Sequence, residues 1–217
     1  MRGKFITFEG LDGSGKTTAI KKVIQLLNDH IDKDNIVYTR EPGGSQISEN
    51  IREVILGKDS DGMDKRTEAL LYAASRRQHL VEKILPALKE GKVVLCDRFV
   101  DSSIAYQGAG RGIDIQAIKD INEFATEGLK PDLTFYFDLT PEEGLKRIKD
   151  NRQDEINRLD QEQLSFYYKV RSGYQQIIKN DPKRFILIDA SKSIDEIVED
   201  VISMLLMQIF DQEEGEK

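Results

Sequence analysis

The chain has few of the residues that build disulfides or zinc sites, and it has no long apolar run. Its 217 residues include one cysteine, Cys96, which excludes an internal disulfide and suits a reducing cytoplasm. The two histidines, His30 and His79, lack the spacing of a metal-ligand pair, so we predict no zinc site. No apolar run approaches the roughly 20 residues that span a bilayer, and the first run starts too early to follow a signal peptide. We expect a cytoplasmic protein without membrane association.

The charge balance limits the classes of partner. A net charge of −7 argues against a general nucleic-acid binder, because that affinity comes mainly from cations that neutralise phosphates. Charged residues at 33% and hydrophobic residues at 39% are typical of a soluble globular protein. No repeat or linker divides the chain, so we predict one domain over residues 1–210 and an acidic, flexible tail over 211–217.

A phosphate-binding loop is the most informative motif. Residues 10–17 fit the pattern G-x-x-x-x-G-K-[ST], in which backbone N–H groups surround nucleotide phosphates. An apolar run precedes the loop and a helical pattern follows it, as this motif requires. Lys16 is expected to reach the β- and γ-phosphates, and the Thr17 hydroxyl to contact Mg²⁺. The predicted ATP-binding residues are Gly10, Leu11, Asp12, Gly13, Ser14, Gly15, Lys16, Thr17 and Thr18.

Apolar runs alternate with helical patterns along the whole chain. The runs predict strands near 4–9, 35–39, 92–97, 133–138 and 184–189. Helices are predicted near 15–29, 46–56, 65–90, 114–127, 141–150, 159–180 and 193–210. Continuous apolar strands are typical of a parallel sheet that is buried on both faces. We therefore predict a three-layer α/β fold of the P-loop NTPase type, with a five-stranded parallel sheet flanked by helices.

Ligands of such sheets bind at the carboxyl ends of the strands, so the residues that follow each strand are candidates for function. The second strand leads into Arg40 and Glu41, and the third ends at Asp97-Arg98. Asp97 fits a Walker B carboxylate that holds Mg²⁺ directly or through water, or alternatively a turn cap. Arg98 is placed to hold a second phosphate, or to form a surface ion pair.

Two further segments hold groups that could recognise a base. Residues 101–112 combine serines, an aromatic ring and Gln107 with small residues, although serine and glycine are also ordinary loop residues. Tyr72 and Arg76 are four residues apart and share one helix face, where they could bind a base or simply pack together. We assign the neighbouring apolar stripe to the core, namely Leu70, Ala74, Val81, Leu85 and Leu88.

The stretch 149–158 is charged and almost free of large apolar residues. Arg147, Arg152 and Arg158 bracket it. A mobile lid with such arginines could close over the triphosphate and neutralise transition-state charge, whereas a solvated loop is the alternative. We predict a lid near 147–158 and name Arg147 and Arg152 as catalytic candidates beside Lys16, Asp97 and Arg98.

Taken together, five motifs resemble the thymidylate kinases, which are nucleoside monophosphate kinases of the P-loop type. The similarity runs from Phe5 to about Phe210 and is specific because the motifs occur in the family's order. They are Phe8-Glu9-Gly10 with the phosphate loop, Arg40-Glu41-Pro42-Gly43-Gly44, Asp97-Arg98-Phe99, residues 102–108, and Arg158-Leu159-Asp160.

The resemblance implies a reaction between MgATP and dTMP, a homodimer, and roles for individual residues. Tyr72, phenylalanine in many relatives, would stack on thymine, and Arg76 would bind its exocyclic oxygen. Asp12 would contact the sugar 3′-hydroxyl, and Tyr106 would crowd the 2′ position. Gly13 stands where one subgroup has an arginine, so the lid would supply that charge, as in the bacterial-type subgroup. The implied dTMP site comprises Asp12, Arg40, Glu41, Arg52, Tyr72, Arg76, Arg98, Ser102, Ser103, Tyr106 and Gln107.

Three alternatives remain at this point. A deoxynucleoside kinase would need a carboxylate base for the sugar hydroxyl, and Glu41 is the one candidate. A regulatory nucleotide-binding switch would need no small acceptor. A kinase of the adenylate or guanylate type is disfavoured by residues 102–108.

Overall fold

Five parallel strands form the sheet in the computed structural model, which describes residues 2–151 and 162–210. The spatial order of the strands is β2-β3-β1-β4-β5. They are β1 (Phe5–Gly10), β2 (Ile36–Arg40), β3 (Val93–Asp97), β4 (Leu133–Asp138) and β5 (Phe185–Asp189). Each predicted strand is present, and no end is shifted by more than one residue.

Nine α-helices lie in the described ranges, together with two π-helical segments and three short 3₁₀ turns. The π segments are Leu80–Ile84 and Ile104–Gly110, and the turns are Lys33–Asn35, Lys58–Ser60 and Pro182–Arg184. The helices are α1 (Lys16–Leu27), α2 (Gln46–Leu56), α3 (Lys65–His79), α4 (Leu85–Lys89), α5 (Val100–Ser103), α6 (Ile115–Thr126), α7 (Pro141–Asn151), α8 (Leu164–Asn180) and α9 (Ile194–Phe210).

Helices cover both faces of the sheet. On one face, Phe8 and Phe135 pack against Val23 of α1 and Val201 of α9. On the other face, one cluster joins β1 and β3 to the helices after residue 79, and a second joins Tyr136 to α8. The predicted three-layer α/β architecture is therefore confirmed.

The helical segment at 100–110 was not predicted. Its glycines lower helix propensity, but they let neighbouring helices approach closely. A Cβ at Gly110 would lie 2.6 Å from the Phe166 ring of α8, and one at Gly108 would lie 2.6 Å from Ile115. Tertiary packing thus outweighs local propensity in this segment.

The assignment of an apolar stripe to the core was wrong for four of its five residues. Leu70, Val81 and Leu85 are 55%, 46% and 37% exposed, and Ala74 is also exposed, whereas Leu88 is buried. The predicted helix 65–90 is continuous, but the π segment Leu80–Ile84 inserts a wider turn and changes which side chains face inward after it. Leu70 and Ala74 precede this segment, so their exposure has another cause. The buried face of α3 is instead largely polar.

The register of the sheet brings the candidate residues to one edge. Asp97 lies opposite Phe8 of β1 and Arg40 of β2, so β1, β2 and β3 end side by side. The predictions for Arg152, Arg158 and the tail 211–217 concern positions outside the described residues, as do those for Leu159 and Asp160.

Candidate active site

The phosphate loop joins β1 to α1. Lys16 begins α1, is 6% exposed, and folds back so that its Nζ donates to Gly10 O (3.1 Å), Leu11 O (2.8 Å) and Ser14 Oγ (3.2 Å). Burial and the charge of Arg98 lower the pKa of Lys16 to about 8. A buried cation of this kind is well suited to bind an anion, which would replace the hydration that it lacks.

Gly13 lies against α7. Its φ of 77° is in the left-handed region, and a Cβ there would lie 2.3 Å from the carbonyl oxygen of Gly144 in α7. Only glycine allows this approach of the two backbones. The contact gives a physical reason why the arginine of one subgroup is absent from position 13.

Thr17 and Asp97 form a candidate magnesium site. The Thr17 hydroxyl donates to Asp97 Oδ2 at 2.6 Å. Asp97 Oδ1 is buried and has no hydrogen-bond partner in the described ranges. A buried carboxylate oxygen without a donor is costly unless a ligand pairs with it, so this pair of hard oxygen ligands fits Mg²⁺.

Arg98 occupies the centre of the site with a φ of 73°. Its Nη1 donates to Gly10 O at 2.9 Å and Ser102 Oγ at 3.0 Å. Its Nη2 donates to Asp12 Oδ1 at 2.8 Å. The Arg98 side chain is 16% exposed, so it remains accessible at the junction of the phosphate loop and β3.

Asp12 and Tyr106 complete one side of this arrangement. The Tyr106 hydroxyl donates to Asp12 Oδ2 at 2.9 Å, and the Arg98 guanidinium lies 4.9 Å from the centre of the Tyr106 ring. Burial alone would raise the pKa of Asp12, but the charges of Arg98 and Lys16 lower it to about 2. Asp12 is therefore ionised at neutral pH.

Glu9 is a buried residue for which sequence reasoning gave no role. It is 0% exposed and accepts hydrogen bonds from Phe99 N (2.7 Å), Ser102 Oγ (2.6 Å) and Tyr174 OH (2.8 Å). These bonds hold the chain directly after Arg98. Burial, followed by the charge of Asp101, raises the pKa of Glu9 to about 7. The sequence signal that could have identified Glu9 was a carboxyl group at the end of a hydrophobic strand.

Two more arginines converge beside β2. Arg40 Nη1 and Arg52 Nη1 both donate to Pro42 O, at 2.8 and 2.9 Å. Burial and the charges of Arg40 and Arg98 lower the pKa of Arg52, which indicates three like charges held close together. Such a cluster is stabilised when an anion binds.

Arg76 lies at the base of the site and is 1% exposed. Its Nε donates to Glu41 Oε2 at 2.7 Å, and its Nη2 donates to Phe99 O at 3.0 Å. Its Nη1 donates to Ser103 Oγ at 3.1 Å and also contacts Asn122. The guanidinium thus has protein partners on every nitrogen. Tyr72, one turn away on α3, is half-buried, and desolvation together with the nearby charge of Glu68 raises its pKa.

Behind the site, Glu41, His79 and Cys96 form a buried group that the sequence spacing did not indicate. His79 contacts Glu41 Oε1 through Nδ1 (3.1 Å) and Thr39 Oγ1 through Nε2 (2.6 Å). Both ring nitrogens therefore have hydrogen-bond partners, and burial raises the pKa of the Cys96 thiol. These contacts stabilise the end of β2 and hold Glu41 in place.

Two adjoining cavities collect the candidate residues. The first, of about 140 Å³, is lined by all eleven residues of the implied dTMP site. The second, of about 410 Å³, is lined by Gly13 to Thr18 of the loop and by Arg147 of α7. Arg147 also donates to Ala190 O at 2.9 Å. Four residues line both cavities: Asp12, Thr17, Asp97 and Arg98.

The fold and the site together define a P-loop phosphotransferase with a second, arginine-lined pocket beside the nucleotide loop. Comparisons with known proteins specify the family. The family model described as thymidylate kinase matches residues 8–201, and the chain belongs to the thymidylate kinase family. It is therefore a kinase that acts on dTMP, in a family that uses ATP as the phosphate donor.

Relatives match this chain over nearly its whole length. A thymidylate kinase of Ligilactobacillus salivarius is 57% identical over 94% of this chain and 98% of its own. One from Geobacillus sp. (strain WCH70) is 55% identical over 99% and 100% of the two chains. The crystal structure of thymidylate kinase from Ehrlichia chaffeensis has a TM-score of 0.77 at 37% identity, with 95% and 100% covered.

The structure also bears on membrane insertion. Within the described ranges, the helices are all too short or too polar to cross a bilayer.

Proposed function

We propose that the chain transfers the γ-phosphoryl group of MgATP to dTMP, giving ADP and dTDP, and that the two adjoining cavities hold donor and acceptor. The observation that carries this assignment is the set of residues common to both cavities, Asp12, Thr17, Asp97 and Arg98. A group that lines both spaces can contact both phosphates at once. Catalysis by positioning two reactants needs this arrangement.

On the donor side, the loop amides and Lys16 bind the triphosphate, and Arg147 of α7 lies against the same cavity. Thr17 and Asp97 hold Mg²⁺, as the unpaired Asp97 Oδ1 favours. When bound, this ion neutralises charge on the donor phosphates. Arg152 is proposed to add a further positive charge from the lid.

On the acceptor side, Arg40, Arg52 and Arg98 surround the place where the dTMP phosphate binds. Two negatively charged groups must come into line for transfer, and these cations offset their repulsion. Arg98 has the leading role because it lies between the two cavities. Tyr72 stacks on the base, while Arg76, Ser102, Ser103 and Gln107 bind or enclose it, and Asp12 and Tyr106 contact the sugar.

A phosphate acceptor needs no general base. The second pKa of a phosphate monoester is about 6, by analogy with phosphoserine, so the attacking oxygen is largely deprotonated at pH 7. The hydroxyl of thymidine would need a base, for which Glu41 was the one candidate. Both Glu41 oxygens are engaged, by Arg76 and His79. The geometry thus favours dTMP over thymidine.

The assignment is tested by ADP release with a panel of acceptors. Full-length protein with MgATP is expected to release ADP rapidly with dTMP, and at background rate with thymidine, AMP and GMP. Rapid turnover with thymidine would identify a deoxynucleoside kinase instead. Slow ADP release that no acceptor stimulates would identify a nucleotide-binding switch.

We further propose a homodimer and a cytoplasmic location. α3 packs beside α6, and the two helices present apolar side chains to solvent: Leu70 is 55% exposed and Phe124 is 88% exposed. Exposed apolar side chains grouped on one face are typical of an interaction surface. The single buried thiol, Cys96, suits a reducing compartment. The one-domain organisation over 1–210 stays a prediction, as do the lid and the tail.

A further inference from the structure

A buried carboxylate on α3 touches the base pocket without lining it. Glu68 is 1% exposed and lies one helical turn before Tyr72. Its Oε1 accepts a hydrogen bond of 3.0 Å from Nε2 of Gln107, which is itself 2% exposed and lines the proposed dTMP cavity. We propose that Glu68 is a positioning residue that fixes the amide orientation of Gln107 and thereby makes the site select thymine over cytosine. The proposal rests on the proposed dTMP site.

The direction of this hydrogen bond follows from the chemistry of its partners. An ionised carboxylate can only accept hydrogen bonds, whereas a glutamine amide has one end that donates and one that accepts. Glu68 therefore requires the NH₂ end of Gln107 to point towards α3. The carbonyl Oε1 of Gln107 is left on the other side, and no donor from the described ranges of the chain reaches it.

Arg111 keeps Glu68 in its accepting form. Its Nε donates to Glu68 Oε1 and its Nη2 to Glu68 Oε2, both at 3.2 Å. A buried carboxylate normally needs a paired cation to remain charged, and this two-point contact supplies one. Arg111 is itself held by Glu162 and by the Phe166 ring, 4.8 Å from its guanidinium carbon. The orientation of Gln107 is thus determined by a chain of fixed groups.

The consequence for specificity concerns ring atom N3 of the base. In thymine N3 carries a hydrogen and can donate to the Gln107 carbonyl oxygen. In cytosine N3 has a lone pair, which would face that same oxygen without a proton between them. A site built to pair with one donor rejects an analogue that lacks it, because its own buried polar group is then unpaired.

The matched pair of acceptors for the test is dTMP and 5-methyl-dCMP, which share the 5-methyl group and differ at N3 and the C4 substituent. The measured quantity is the ratio of kcat/KM for dTMP to that for 5-methyl-dCMP, in full-length protein with saturating MgATP. Glu68→Gln presents either end of an amide to Gln107, so Gln107 can rotate. We expect the ratio to fall at least tenfold, while Glu68→Asp, which keeps a carboxylate, retains most of it.

A role limited to structure would give a different result. Both acceptors would then lose kcat/KM by the same factor in Glu68→Gln, and an unchanged ratio overturns the proposal. In a Gln107→Ala background there is no amide to orient, so adding Glu68→Gln should leave the ratio unaltered. A further tenfold fall in that background also overturns it.

Two outcomes separate this proposal from its premise. Failure of the unmodified protein to phosphorylate dTMP refutes the proposed function, whereas equal use of both acceptors by that protein refutes only the role of Glu68. Should Glu68→Gln fail to fold, Arg111→Gln takes its place, because without its cation Glu68 can hold a proton and donate it to Gln107. The ratio is then expected to fall, and an unchanged ratio overturns the proposal.

Discussion

Arg98 combines a strained backbone with a side chain that several hydrogen bonds hold in place. A non-glycine residue in the left-handed region costs about 1 kcal/mol, and the φ of 73° at Arg98 is maintained by bonds on both sides. Its own N–H donates to Phe8 O at 2.9 Å, and the next N–H donates to Glu9. Strain of this kind is common at functional sites, because the unusual conformation points the side chain in a direction that a regular strand end does not allow.

Replacing Arg98 with alanine should affect turnover far more than donor binding. The guanidinium offsets charge between the two phosphates, so its loss is expected to lower kcat about 100-fold or more. The affinity for ATP should change only a few-fold, because Lys16 and the loop amides remain. Steady-state assays and ATP titrations measure the two quantities. Near-normal turnover in Arg98→Ala would remove this residue from the mechanism.

Glu9 predicts a specific dependence of stability on pH. Its folded pKa of about 7 exceeds the ordinary value of 4.5, so between these values the folded state binds more protons than the unfolded state. The free energy of unfolding therefore falls as the pH rises through this window. Glu9→Gln lacks the titrating group, so the melting temperature of the unmodified protein relative to this variant should fall between pH 5 and pH 8.

The matched control for Glu9 is Glu199→Gln, at an exposed position on α9. Its melting temperature should follow that of the unmodified protein at every pH. A constant difference between the unmodified protein and Glu9→Gln across the range would contradict the raised pKa.

Gly13 and Gly15 of the phosphate loop have similar backbone angles but differ in the room available for a side chain. Gly13 and Gly15 have φ values of 77° and 82°, but only at Gly13 would a Cβ meet another backbone, 2.3 Å from Gly144 O. Gly15→Ala should cost about 1 kcal/mol through its backbone angle. Gly13→Ala should cost an additional 1–3 kcal/mol, roughly the usual penalty for overpacking. Urea denaturation measures the free energy of unfolding of both variants. Equal losses of stability would show that α7 moves away from the added methyl group at little cost.

At the scale of elements, the sequence was sufficient for the strands but not for the helical segments around the site. Continuous apolar runs locate the buried strands to within one residue, because a strand that is buried on both faces is apolar at nearly every position. The period of 3.6 residues gave the wrong buried face on α3, where Leu70 and Ala74 are exposed, and the π segment Leu80–Ile84 then changes its phase. It also missed Ile104–Gly110, whose conformation depends on packing against α8.

In the candidate site, the location of the residues could be predicted from the sequence, but their hydrogen-bond partners could not. All the implied dTMP residues line one cavity. Those that follow β1, β2 and β3 converge because parallel strands end at the same edge of the sheet, whereas Arg52, Tyr72 and Arg76 lie on helices and were implied by the resemblance. The partners of those residues were not predictable in the same way. Glu9 meets Tyr174, and Glu68 meets Gln107, and neither pairing has a signal in local spacing. Contacts between distant segments depend on how the helices pack.

At the scale of the whole molecule, the exposed apolar face of α3 and α6 predicts association. A chain of 24.7 kDa should elute with about twice that mass in light-scattering chromatography. Phe124→Glu places a charge on that face and should shift the mass towards the monomer. Leu187→Glu is the control, since Leu187 is 63% exposed but lies on β5, at the far edge of the sheet. A monomer in the unmodified protein would refute the homodimer.

The backbone contact between Gly13 and Gly144 has a consequence for the order of events during turnover. With no side chain between them, the phosphate loop and α7 have no compressible layer that could absorb a displacement. A nucleotide that widens the loop must therefore move Pro141–Asn151 at the same time. Arrival of the donor would in this way be communicated to α7 before any acceptor is present.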